Sequence, residues 1–436
     1  LSIGIAGCSR SSAPPAPARA PHYAPVPDFL ADAGYADGAD FTWSNTVADG
    51  LTHHFDATTS GPLTLTTVRL NLDAPGLELE VEKASPTLLG AATVADVAAR
   101  ILEEDPSRPP LVVMNADFWG SRFLPVNLLV DDGDIWKGPW YGPEGQRRSM
   151  LARGAESGKL TIGLPAWHAA LQDPESGHRL SIDAINPLVP EQPTVLYTHR
   201  FGRGVPDTPP GWRAVRLRLN GNGWLPNAPS VVRVEAVGDV VPEPEPAPAD
   251  EPTADEPTEA GAAAEESPAP EPSPALEANE LLLMTRRANM PWLFPGADLH
   301  LTATLDNLDE PVDMAVGGGP RLIADGRVVV DQQQIRERFP DGFDTTRHPR
   351  SAVGITADNT LVLMVVDGRQ PDRSRGVSLQ ELADLMLSAG CVDAMNLDGG
   401  GSSTIWIDGA MANFPSDRGG PRTVTNTLVI RKAPVR

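Results

Sequence analysis

The stretch Asn396-Leu397-Asp398-Gly399-Gly400-Gly401-Ser402-Ser403-Thr404 gathers the groups best suited to chemistry in this chain. An apolar run over residues 392–397 delivers the carboxylate of Asp398. Three glycines follow, which let a backbone approach a ligand closely and adopt positive φ. The hydroxyls of Ser402, Ser403 and Thr404, with the amides of the turn, complete a set suited to an anion and a sugar. The competing reading is a tight hairpin whose glycines are only steric. No Gly-Lys-Ser/Thr follows, so the stretch is not a phosphate-cradling NTPase loop. Ser402 and Ser403 lack the second flanking glycine of a hydrolase nucleophile elbow.

The elements around it are mostly strands. Residues 392–397 and 404–407 read as strands on either side of the glycines. Residues 351–356 and 360–367 read as a hairpin over residues 357–359. Alternating runs at 63–72 and 77–82 read as half-buried strands turning at 73–76. Residues 111–114 form a buried strand leading into Asn115. Further strands are expected at 126–130, 149–153, 160–162, 193–198, 215–219, 299–305 and 327–330. Two helices stand out. Residues 93–104 place Val94, Val97, Ala98, Ile101 and Leu102 on one face, with prolines beyond. Residues 379–389 turn Leu382, Leu385 and Met386 inward behind a Ser378 cap. The fold class is α+β, a strand-rich single catalytic domain with few helices.

Composition narrows the partners. The 436 residues carry 58 acidic and 35 basic side chains, a net charge of −23. That balance argues against nucleic acid, which needs a basic face, and does not favour an anionic membrane surface. Residues 241–280 hold 12 acidic residues and 10 prolines with no basic or aromatic residue. Such a segment cannot bury enough apolar surface to offset its ordering entropy, so it should be disordered. Strand-like runs flank it, at 230–237 and 279–285, which favours an insertion within one domain over a linker between two. It leaves −11 on the other 396 residues, so the overall acidity says little about a site. Two cysteines cannot make a disulfide framework. Cys391 reads as a small buried hydrophobe. Ile5-Ala6-Gly7-Cys8 resembles a bacterial lipobox, with Cys8 the lipidation site, and residues 1–27 read as that remnant plus a flexible tether. The expected address is extracytoplasmic, as a lipoprotein or secreted protein, with membrane contact only through the lipid.

Several stretches taken in order resemble the phosphodiester glycosidase family, including its bacterial exopolysaccharide-related branch. Residues 396–404 are similar to its signature. Val113-Met114-Asn115-Ala116-Asp117-Phe118-Trp119, Val316-Gly317-Gly318-Gly319-Pro320-Arg321 and Pro349-Arg350-Ser351-Ala352-Val353-Gly354 follow the family's pattern. So do Val365-Val366-Asp367-Gly368-Arg369, residues 378–383, Phe414-Pro415-Ser416-Asp417 and Pro421-Arg422-Thr423-Val424. The resemblance spans about residues 60–432, on both sides of the insertion. It implies one catalytic domain, 28–240 with 281–436. Ala116 departs from the family's usual glycine and puts the local backbone in question.

The activity implied is hydrolysis of a sugar-1-phosphodiester, with N-acetylglucosamine the suggested sugar and an envelope or exopolysaccharide glycan the partner. Glycosidases commonly flank the bond with two carboxylates, and Asp398 and Glu381 are the expected pair. Asp367 and Arg350 join them as catalytic candidates. Arg350 adjoins a strand and offers a planar fork for phosphate, and Arg369 and Arg422 are weaker candidates for the same role. Asn115, Asp117, Asn396, Gly399, Gly400, Gly401, Ser402, Ser403 and Thr404 are expected to bind substrate. Trp119, Trp136 and Trp140 could stack on sugar rings or simply pack. The histidines show no metal spacing, and His53 and His54 read as exposed. No cofactor is identified. The calcium-loop spacing is absent, yet a carboxylate-lined site keeps a divalent cation such as calcium open. The alternatives are a non-catalytic polysaccharide-binding module and a glycosidase acting on ordinary glycosidic bonds, since a fold does not settle a reaction.

Overall fold

Apolar–polar alternation sends successive side chains of a strand to opposite faces, and here it sorts them between separate cores. The computed structural model describes residues 26–434 except 143, 203, 222, 243–274, 288 and 307. In the fully buried strand Thr360–Val366, Leu361, Leu363 and Val365 enter one core, whereas Val362, Met364 and Val366 enter another. Both faces of its sheet are therefore covered. That eight-stranded sheet runs Phe41–Ala48, Leu51–Thr58, Leu63–Asn71, Thr360–Val366, Arg350–Thr356, Cys391–Asn396, Arg321–Ala324, Arg327–Val328.

A five-stranded sheet lies against its inner face: Ala410–Met411, Ile405–Ile407, Pro110–Asn115, Asn426–Lys432, Leu77–Lys83. Val112, Met114, Ile405, Leu428 and Ile430 share the first core with Leu361, Leu363 and Val365. Helices cover the outsides. Of the described helices, α1 is Asp28–Asp32, α2 Val94–Glu104, α3 Val330–Arg336 and α4 Leu379–Ser388. α4 buries Leu379, Leu382, Ala383 and Met386 against the eight-stranded sheet. α2 packs Val94, Val97, Ala98 and Ile101 onto Val113 and Val429. This part of the molecule is thus layered helix, sheet, sheet, helix.

Two further sheets extend it. One joins Asp134–Lys137, Leu129–Asp131, Val312–Gly317, Met150–Gly154 and Leu160–Gly163. It sends Leu129, Leu151 and Val316 into the first core and Val130, Met150 and Ala315 into a separate one. The other is eight-stranded, from Arg179–Ile182 to Ala184–Ile185. Within it, Ser230–Val237 and Glu280–Thr285 both pair with Arg213–Leu219. The two flanks of the acidic segment are therefore strands of one sheet. Most of that segment, 243–274, lies outside the described residues, as do Cys8, the lipobox stretch and residues 9–25 of the expected tether. No described helix is long and apolar enough to cross a membrane.

Several expectations need correction. Residues 63–83 are not a hairpin, because Leu63–Asn71 pairs with Leu51–Thr58 and Thr360–Val366, while Leu77–Lys83 pairs with Asn426–Lys432 in another sheet. The strand expected at 327–330 is only Arg327–Val328, and Val330 begins α3. Leu102 is 47% exposed, since α2 presents a narrower face than its apolar residues suggest. His53 is buried beside the rings of Phe29 and Trp43, and burial pushes its imidazole down to about 4. The paired strands Phe41–Ala48 and Leu51–Thr58 escape sequence reading. Polar residues in both mask their alternation.

Gly354 marks where α4 docks most closely. A Cβ there would lie 2.7 Å from Cys391 Sγ and Met386 Cε and 3.0 Å from Asp393 O. Gly354→Ala is expected to destabilise the protein by about 1–3 kcal/mol through overpacking. A lowered urea midpoint with an unchanged m-value checks it.

Candidate active site

The glycine stretch is a crossover, not a hairpin. Cys391–Asn396 belongs to the eight-stranded sheet that begins at Phe41–Ala48 and Ile405–Ile407 to the five-stranded sheet packed against it. Residues 397–404 therefore carry the chain across the end of the core. Ala116 O accepts from Asp398 N at 2.9 Å, and Ser351 O accepts from Leu397 N at 2.8 Å. The buried Asn115 side chain holds the crossing together. Its Nδ2 donates to Asp398 O at 2.7 Å, and its Oδ1 accepts from Ser351 Oγ at 2.8 Å and Thr404 N at 3.1 Å. Asn396 Nδ2 donates to Gly319 O and Leu397 O. Ala116 is fully buried without a positive φ, so its departure from glycine does not strain the backbone.

Each glycine of the turn makes a close approach that a Cβ would obstruct, to a backbone carbonyl at Gly399 and to arginine side chains at Gly400 and Gly401. A Cβ on Gly399 would meet Pro349 O at 2.9 Å and Arg350 Cδ at 3.7 Å. Gly400, at φ +66°, lies under Arg369, whose Nη2 would be 2.9 Å from a Cβ. Gly401 faces the ion pair of Arg422 and Asp417, bonded at 2.8–2.9 Å. Two guanidinium groups, those of Arg369 and Arg422, thus converge on Gly400 and Gly401. His348 joins them, its Nδ1 3.4 Å from Arg369 Nη2. Burial, then the charges of Arg369 and Arg350, hold its imidazole below the usual range.

Asp398 sits at the head of this turn, partly open to solvent yet crowded by protein. Burial pushes its carboxyl up to about 6, partly offset by the Ser402 hydroxyl, the Gly399 amide and the Arg422 charge. Gly399 N donates to its Oδ1 at 2.9 Å. The turn's other amides are mostly engaged. Gly400 N bonds Pro349 O, Ser402 N and Ser403 N bond the turn's own carbonyls, and Thr404 N bonds Asn115. An anion here would meet guanidinium groups more than the amides expected from sequence.

The remaining candidates stand apart. Glu381 is in the capping box of α4, where Ser378 N donates to its Oε2 and Arg347 pairs with its Oε1. Arg350 is buried, and its fork donates to the carbonyls of Phe343, Thr346 and Val377. It braces the loop over the site instead of facing outward. Burial lowers it to about 10. Asp117 is buried and takes bonds from Phe118 N, Asn127 N and Asn127 Nδ2. Burial raises it to about 6. Trp136 stacks under Arg200, and Trp140 and Phe339 lie on Arg148 at 4.6 and 4.4 Å. Trp119 packs on Phe123.

Sequence reading missed His348, Arg148 and Glu337. Glu337 is fully buried, accepts from Ser149 N, Ser149 Oγ and Arg321 N, and is raised by burial to about 7. The signal for it is Gly319, where a Cβ would strike Glu337 Oε2 at 2.3 Å. Among the described residues no group of three or more His, Cys, Asp or Glu assembles that could hold a metal ion.

Asp367 is a buried anchor. Thr64 Oγ1, Asn413 Nδ2 and Phe414 N donate to it at 2.8–2.9 Å, and Asn413 also donates to Ser403 O. Burial raises its carboxyl to about 7. A carboxyl raised on folding stabilises the fold fully below its unfolded pKa of about 3.9, and that contribution is lost as pH rises through about 7. Asp367→Asn should therefore flatten the fall in stability between about pH 4 and 7. Urea midpoints measured across that range test it, and an unchanged slope would refute the assignment.

With this geometry in view, the comparisons with known proteins are specific. Residues 278–431 match the model of the phosphodiester glycosidase family. A prophage-derived uncharacterized protein of Bacillus subtilis is 46% identical over 84 residues, 19% of this chain and 13% of that one. The N-acetylglucosamine-1-phosphodiester alpha-N-acetylglucosaminidases of Bos taurus and Homo sapiens are 34% and 32% identical over 116 residues, 25% of this chain and 22% of theirs. The chain therefore aligns with less than a quarter of the length of these curated relatives. A hypothetical protein from Synechocystis shares the fold at TM-score 0.67 and 20% identity, covering 91% of this chain and 64% of that one. A Burkholderia pseudomallei protein described as exported does so at TM-score 0.58 and 22% identity, covering 86% and 75%. Residues 278–431, which hold the glycine turn and its arginines, are thus the part of the chain that is similar to the phosphodiester glycosidase family.

Proposed function

We propose that the protein hydrolyses a sugar-1-phosphodiester within a cell-envelope or exopolysaccharide glycan. One observation carries this reading. Asp398, raised to about 6, heads a turn whose Gly400 and Gly401 seat Arg369 and Arg422. The phosphodiester anion lies between the outward guanidinium groups of Arg369 and Arg422, while Arg350 positions the loop. Ionised Asp398 takes a proton from water, whose oxygen attacks the anomeric carbon. The bond from that carbon to the phosphate oxygen breaks, and its electron pair leaves with the phosphate. A phosphate leaves as a stable anion, so this needs less acid help than release of an alkoxide. One carboxylate then suffices, and Glu381 serves as the cap of α4. N-acetylglucosamine, named for the bovine and human relatives, is the first sugar to test.

The same reading places the protein outside the cytoplasm. The Ile5-Ala6-Gly7-Cys8 stretch and the likeness to a protein described as exported support it. Cys8→Ala, expressed in a bacterium from the complete reading frame, should lose labelled palmitate. Retained label would remove Cys8 as the lipid site.

The enzymatic test uses methyl N-acetylglucosamine-1-phosphate against methyl N-acetylglucosaminide. The diester should turn over faster, and Asp398→Asn should lower kcat/KM by about 10²–10⁴-fold, the usual range for a general base. The rate should rise with pH through about 6 as Asp398 ionises. Arg422→Gln should move that limb to higher pH, because the Arg422 charge holds Asp398 down. Wild-type turnover by Asp398→Asn would sink the mechanism. Faster cleavage of the plain glycoside would make the protein an ordinary glycosidase, and binding without turnover would make it a lectin-like module.

A further inference from the structure

A larger cleft opens away from the glycine turn. Its volume is ≈ 610 Å³, within the range of small-ligand sites, about 300–1,000 Å³. Met150 and Ala152 of Met150–Gly154, with Leu164, Pro165 and Leu308, give it an apolar floor. Arg147, Arg321 and Arg336 of α3 line it, with Glu144 and Asp306 also in its lining.

The charges are unevenly used. Arg321 is paired with Asp393 and bonded to Ile323 O. Glu144 accepts from Gln146, and Asp306 lies 3.8 Å from His168. Arg147 and Arg336 have no ion pair or side-chain hydrogen bond among the described residues. Gln333, on α3 beside them, is 7% exposed, and its Oε1 has no hydrogen-bond partner. Buried polar atoms are normally satisfied, so this one is an acceptor lacking a donor. Two of its lining residues adjoin Glu337 and Arg148. Arg321 N bonds Glu337, and the residue after Arg147 is Arg148, set over Phe339.

We infer that this cleft is a second binding site, for an anionic saccharide. Arg147 and Arg336 would hold a carboxylate or phosphate, Gln333, Glu144 and Asp306 would accept from sugar hydroxyls, and the apolar floor would carry a ring face. Two unpaired arginines beside acceptors select an acidic sugar over a neutral one. The assignment rests on these residues alone and does not require Asp398 to be catalytic.

Calorimetry on the full chain at low salt tests it with tetragalacturonate, a glycerol-phosphate tetramer and neutral maltotetraose. At least one anionic probe should bind, with affinity falling as salt rises, and maltotetraose should not. Which anionic probe binds more tightly separates a carboxylate-bearing from a phosphate-bearing polymer. The partly exposed pair Arg147→Ala/Arg336→Ala should weaken binding at least tenfold, with thermal melting confirming the fold. Arg369→Ala/Arg422→Ala should leave the affinity for tetragalacturonate, which carries no phosphodiester, within twofold. Absence of anionic binding, equal binding of maltotetraose, or a loss confined to the Arg369/Arg422 variant would overturn the assignment. If the diester assay fails while this binding persists, only the catalytic reading falls.

Discussion

One buried amide holds the glycine-turn end of the molecule together. Asn115 closes the strand Pro110–Asn115, and its side chain bonds Asp398 O, Ser351 Oγ and Thr404 N. These groups come from two segments, the crossover 397–404 and the strand Arg350–Thr356, which meet Asn115 where two sheets face each other. Each such bond contributes about 1 kcal/mol net, but an unsatisfied buried partner costs about 1–3 kcal/mol. The crossover is thus over-determined, which fixes the backbone beneath Arg369 and Arg422.

Burial governs the chemistry of that end. Asp117, Asp367, Asp398 and Glu337 are all raised by desolvation, although each accepts hydrogen bonds or feels nearby arginines. Three of the four are walled in by donors. Asp398 alone retains partial access to solvent. Exposure, not pKa, separates Asp398 from the three buried carboxyls. Arg350 shows the same division among the cations. Its fork is filled by three carbonyls, whereas Arg369 is exposed and Arg422 half-buried.

Much of the fold was legible where a local rule applies. The capping boxes of α2 and α4 need only residues three apart, and both form with Thr93 and Ser378 as caps. The hairpin of Arg350–Thr356 and Thr360–Val366 follows from its two apolar runs and the Asn359 turn. The strands Phe41–Ala48 and Leu51–Thr58 were not legible, because His53, His54 and the threonines interrupt the apolar pattern. Sheet partnership was not legible either. Leu63–Asn71 and Leu77–Lys83 are four-residue-turn neighbours in sequence, yet they belong to sheets packed face to face. A local turn cannot show which distant strand will supply the ladder.

By itself, the sequence determined the chemistry available: a carboxylate, three glycines, and arginines near motifs of one family. It determined the strand-rich character too, since alternation is a local property of the backbone. Only the tertiary structure decided which arginine serves which glycine. Gly400 meets Arg369 and Gly401 meets Arg422 because strands far apart in the chain end at one edge of two packed sheets. It also decided that Glu381 caps a helix and that Arg350 braces a loop. A side chain's role depends on which donors and acceptors reach it first, and packing, not spacing along the chain, settles that.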